Sequence, residues 1–142
     1  MTLHRTLIAT VFAGIASLAF AGFAQAAPAV STADTAKAYR LDAARHIYAS
    51  YPDKVFHGKL PPLVHAVVVL EVDTDGAGHV RDVNMIRVPT HAPEVTLAVR
   101  DMIVRADMPV PSHMVDGVKF TEIWLVDKSG RFQLDALTEG QR

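Results

Sequence analysis

The apolar positions of the chain change their spacing several times, and each change marks a candidate element. Leu7 to Phe23 is an uncharged apolar run interrupted by Gly14, Ser17 and Gly22, preceded by His4 and Arg5 and followed by Ala24-Gln25-Ala26. A basic head, an apolar stretch and a small-x-small triplet predict a Sec-type signal peptide over residues 1–26, cleaved before Ala27. The alternative is an uncleaved anchor, but the run falls short of the roughly 20 apolar residues that cross a bilayer. Ala27 to Ala33 is small and loop-like, a short tether. From Asp34, which can cap, Tyr39, Ala43, Ile47 and Tyr51 recur every four residues, while Arg40, Asp42 and Arg45 fall on the other side. This spacing predicts an amphipathic helix over 35–50, ended by Pro52.

After an extended connection containing Gly58 and Pro61-Pro62, the period becomes two. Val64, Ala66, Val68, Leu70 and Val72 share one face, and His65, Val67, Val69 and Glu71 the other, predicting a strand over 63–73. Residues 73–78, Asp-Thr-Asp-Gly-Ala-Gly, are turn-formers that lead into a return strand over 79–88. Within it, Val80 followed by Val83 and Met85 slips phase, which predicts a bulge. Thr90 and Pro93 mark a helix start. Val95, Ala98, Val99, Met102, Ile103 and Ala106 then form a helical stripe that Pro109 and Pro111 end. Val118 to Val126 reads as a third strand, residues 127–130 as a tight turn and Arg131 to Leu134 as a short fourth strand. The polar tail over 138–142 is expected to fray.

Two helices interleaved with so few strands predict an α+β domain over 34–137, a small antiparallel sheet of three to four strands with two helices on one face. Val99 and Met102 should face the sheet opposite Val68 and Leu70. The other sheet face then carries Val67, Val69, Ile123 and Leu125, which is either a partner surface or a plain solvent face.

Composition narrows the function. Fourteen Lys+Arg against 15 Asp+Glu give a net charge of -1, without the basic excess of a nucleic-acid binder. The chain has no cysteine, which excludes a disulfide scaffold, a zinc finger, an iron–sulfur site and a thiol nucleophile. His46, His57, His65, His79, His91 and His113 have neither HExxH nor HxH spacing, so they read as scattered surface residues rather than metal ligands. Asp73-x-Asp75-Gly76 resembles the opening of a calcium loop, but Gly76 is fourth rather than sixth and Asn84 occupies the twelfth position. Ser50, Ser112 and Ser129 lack a GxSxG context, and no Gly-rich loop follows a strand. No enzyme chemistry and no cofactor are expected.

The order of short motifs resembles a known family. Tyr51-Pro52, the valine-rich strand, Val72-Asp73-x-Asp75-Gly76, Val80-x-x-Val83, the striped helix and Pro109-x-Pro111 look like the C-terminal domain of TonB-family energy transducers, over about residues 45–134. Phe120 to Asp127 with Gly130-Arg131-Phe132 resembles the final strand and hairpin of exported relatives. The resemblance implies a binding module in which an outer-membrane receptor peptide pairs as an extra strand with the last strand of the sheet. By position that edge comprises Val118, Phe120, Thr121, Glu122, Ile123, Trp124, Leu125 and Val126. The implied partner is a peptide or protein, either a receptor segment or a second copy of the chain.

The chain departs from a transducer in having His4 before its apolar run and only Ala27 to Ala33 as a spacer, roughly 25 Å when fully extended. The expectation is therefore a periplasmic interaction module that does not transduce energy; the rival is an anchored transducer of outer-membrane transport. Arg131 to Leu134 is expected to fold back onto the edge and partly close it, with Phe132 across from Ile123 or Leu125.

Overall fold

The computed structural model describes residues 26–141; the signal segment read in the sequence lies outside the described residues, apart from Ala26. In chain order the elements are β1 (Val30–Ser31), α1 (Ala36–Ser50), β2 (Ala66–Thr74), β3 (Val80–Arg87), α2 (Pro93–Ala106), β4 (Val110–Pro111), β5 (Lys119–Val126) and β6 (Phe132–Leu134). An antiparallel sheet runs β3-β2-β5-β6, and β1 pairs with β4 in parallel. This is the expected α+β arrangement, with both helices contributing to one core against one sheet face.

Local chemistry sets most boundaries. Thr35, rather than Asp34, caps α1: its Oγ1 accepts from the Ala38 amide at 3.2 Å. Asp34 instead lies 2.6 Å from His113 Nδ1. Tyr39, Ala43, Ala44 and Ile47 form the buried face of α1. Tyr39 donates to the Pro109 carbonyl at 2.7 Å, and burial pushes its phenol up to about 12. Val99, Met102 and Ile103 are the buried positions of α2, whereas Ala98, expected in the stripe, is exposed. In β2 the alternation is complete, with Ala66, Val68, Leu70, Val72 and Thr74 all buried. Leu63 was expected to open this strand, but it precedes the ladder and is 86% exposed.

The β2–β3 turn is held by Asp75, whose Oδ1 accepts from the amides of Ala77 and His79 at 2.8 and 2.9 Å. A side chain thus satisfies the turn where the sequence hinted at a cation loop. The turn packs against the connection from α2 to β5 so closely that a Cβ on Gly78 would overlap the Met108 carbonyl. In β3 the register skips Arg81, where a bulge is expected, and also Ile86, where none is.

Two expectations about the ends need correction. The tether belongs to the fold, because Ser31 is buried and its Oγ donates to Asp42 at 2.7 Å. The polar tail is fastened as well: the Leu60 amide donates to the Gly140 carbonyl at 2.9 Å. In β6, Phe132 sits opposite Val126, not Ile123 or Leu125. That register turns it toward the helices, where its ring lies 4.4 Å from that of Trp124.

Candidate peptide-binding edge

One hydrogen bond fixes the phase of β5. The Thr74 amide donates to the Val118 carbonyl at 2.9 Å. In an antiparallel ladder, alternate residues therefore turn their backbone groups toward β2. Phe120, Glu122, Trp124 and Val126 do so, and their side chains are buried under the helices together with that of Val118. Lys119, Thr121, Ile123 and Leu125 turn their amides and carbonyls away from β2 and their side chains toward the bare sheet face. The eight residues assigned to one binding edge thus divide. Val118, Phe120, Glu122, Trp124 and Val126 are core residues, and Thr121, Ile123 and Leu125 are those whose backbone groups face away from β2.

Coverage divides the edge further. Leu125 is paired with Gln133 of β6. β6 is covered in turn: the Phe56 amide donates to the Phe132 carbonyl at 2.8 Å, and the Leu134 amide donates to the Tyr48 hydroxyl at 3.1 Å. Gln133 fastens this outer layer. Its amide donates to the carbonyls of Phe56 and Gly58 at 2.9 and 2.6 Å, while its Oε1 accepts from the Thr138 hydroxyl and the Glu139 amide, each at 3.2 Å. The sequence shows Gln133 only as a polar residue between two apolar ones. Nothing local marks it as a buried junction, since the carbonyls that receive its amide lie more than seventy positions away.

Glu122 closes the next position. Its Oε1 accepts from the Ile123 amide at 2.9 Å, the Arg40 guanidinium at 2.7 Å and, more loosely, the Ala136 amide at 3.4 Å. The carboxylate therefore occupies the place where the carbonyl of an added strand would sit. Arg40 also reaches Asp135 at 2.9 Å. The Glu122 hydrogen bond leads in raising the guanidinium above its ordinary pKa, against the opposing effect of burial. Glu122 is 1% exposed, and its Oε2, Arg40 Nε and Trp124 Nε1 are buried without hydrogen-bond partners.

What remains open is Lys119 and Thr121. They border a cavity of about 270 Å³ lined by Lys37, Arg40, Glu71 and Phe120 as well as themselves. Arg40 is already engaged by Glu122 and Asp135, so the cations less firmly held there are Lys37 and Lys119, whose ammonium sits loosely, 3.7 Å from both Glu71 and Asp73. Outside this region, Val67, Val69, Ile123 and Leu125 are half-buried on the bare face, as expected.

The histidines are not all scattered. His65 and His91 meet edge to face with ring centroids 5.5 Å apart. Among the described residues, no three His, Asp or Glu side chains are placed to hold a metal ion, and no helix is long and apolar enough to cross a membrane. No protein-family model, curated protein or solved structure matches this chain.

Proposed function

We propose that this chain is an exported, TonB C-terminal-like interaction module that takes up an acidic extended peptide or protein segment by strand addition at Lys119–Thr121, without transducing energy. The observation that carries the reading is the outward-facing backbone of Lys119 and Thr121 beside a cavity that holds Lys37 and the loosely paired Lys119, on a sheet side otherwise sealed among the described residues. The signal-like residues 1–26 support a periplasmic setting.

Energetics support a short-range, side-chain-assisted contact. Two outward residues offer up to four hydrogen bonds at about 1 kcal/mol net each. That sum barely meets the roughly 4–15 kcal/mol lost on association. Charge complementarity from Lys37 and the loosely held Lys119 must supply the remainder, which selects an acidic partner and makes binding salt-sensitive. So short a grip suits recognition rather than the transmission of force.

The test is titration of the full chain with an acidic extended peptide, followed through backbone amide resonances. Shifts concentrated at Lys119 and Thr121, and lost in Thr121→Pro, are expected, because proline removes the donor while edge strands tolerate it. Saturable binding unaffected by Thr121→Pro would refute the edge.

A further inference from the structure

A second recess lies on the other side of the sheet, where β2 begins and the chain passes from β3 into α2. We propose that it binds a small oxyanion of the sulfate or phosphate type, and that acid strengthens this binding. The site is independent of the β5 edge. Its volume is about 290 Å³, and His65, Arg87, Thr90 and His91 supply its polar lining.

The charge pattern is one-sided. Arg87 projects from the end of β3 and makes no ion pair among the described residues. No carboxylate lines the recess. Glu94, in the first turn of α2, is exposed and outside the lining. Guanidinium, hydroxyl and imidazole groups therefore converge with nothing negative between them, a donor set matched to an oxyanion.

The geometry also fixes how protons enter. His91 Nε2 lies 2.7 Å from the His65 carbonyl. A carbonyl only accepts, so Nε2 carries the hydrogen, and in the neutral ring Nδ1 is a lone pair that cannot donate to an anion. Protonation converts Nδ1 into a donor. The His65 and His91 rings meet with centroids 5.5 Å apart and share the recess with Arg87, so an anion seated there neighbours both imidazoles and the guanidinium. Proton uptake and anion binding are thereby linked: a proton on His91 adds a donor and a positive charge to the recess, so lowering the pH tightens the anion.

Sulfate is the suitable probe, since it remains a dianion across the range in which histidine titrates. The full chain would be titrated with sodium sulfate at constant ionic strength, following the imidazole proton resonances at about pH 6 and about pH 8. The expected result is saturable binding about tenfold tighter at the lower pH, with the imidazole resonances of His65 and His91 moving on sulfate addition while those of His57, His79 and His113 stay put. Arg87→Gln should abolish saturation, and His91→Gln should flatten the pH dependence. Equal movement of every histidine, or sulfate affinity unchanged by Arg87→Gln, would overturn the site.

Discussion

β3 and the β5–β6 pair bound the same sheet on opposite sides, and an unpaired ladder is a hazard on either. On β3 the protection lies within the strand. Val69, Glu71 and Asp73 turn their backbone groups toward β3, so Val83 and Met85 are the regular positions facing outward. Bulges at Arg81 and Ile86 bracket them and leave no long straight template. On the other side the protection is extra chain: β6 lies on Trp124–Val126, residues 55–58 lie on β6, and Glu122 caps the Ile123 amide. Distortion guards a whole strand at once. A cover guards only as far as it reaches, and here it stops short of Thr121. That difference leaves the first part of β5 the least protected stretch of the sheet's border among the described residues.

The comparison can be broken most forcefully by removing the cover. Truncation after Gly130 deletes Phe132 and Leu134, both 0% exposed. Losing two such side chains costs on the order of 5 kcal/mol or more, comparable to the whole stability of a small domain. The expected outcome is loss of a cooperative urea transition; a truncated chain unfolding at the wild-type midpoint would show that β6 is a detachable lid.

Glu122→Ala attacks the next layer. It strips Arg40 of its buried partner, but Asp135 and partial solvent access remain, so about 2 kcal/mol is expected rather than the larger cost of a fully buried pair. The Ile123 amide should then exchange its hydrogen faster than in the wild type, measurable by hydrogen exchange. Gln133→Ala leaves the Phe56 and Gly58 carbonyls without their side-chain donor, for about 1–2 kcal/mol. Its signature should be faster exchange of the Leu60 amide, with β3 unaffected.

The smallest expected change in stability comes from straightening β3. Deleting Ile86, an exposed bulge residue, should shift the midpoint little but lengthen the regular edge. Self-association that rises with concentration in sedimentation is expected, and a strictly monomeric deletion variant would argue that the bulge does not protect β3.

These two edges also separate what the sequence discloses from what it hides. The bulge near Arg81 is legible because one inserted residue slips the alternation of Val80, Val83 and Met85, a signal contained in a few neighbours. The helical stripe ending in Val99, Met102 and Ile103 is legible for the same reason. Ile86 escapes because no apolar position follows it within the strand to register a second slip. The cover escapes almost entirely: Gln133 is defined by Phe56, Gly58 and Glu139, and Glu122 by Arg40, pairings that no local period encodes. Of the eight residues read along the candidate edge, five serve the core, because the family pattern names a continuous run whereas strand alternation sends every second side chain inward. The His65–His91 pair is likewise a product of the fold, with the two rings brought together from separate elements.

The seal over β6 has a consequence for how the chain matures. Gln133 bonds across 75 and 77 positions to Gly58 and Phe56, and Glu139 accepts from the Gly58 amide across 81. Contacts so distant in sequence are slow to form, because a long loop must close before any of them contributes. Residues 55–60 therefore emerge early and wait, while the β2–β3 hairpin can assemble from its own neighbours. Until residue 139 has been delivered, β5 and β6 present an unfinished border to other chains. The rate at which that border closes, more than the final stability of the domain, sets its exposure to aggregation during synthesis.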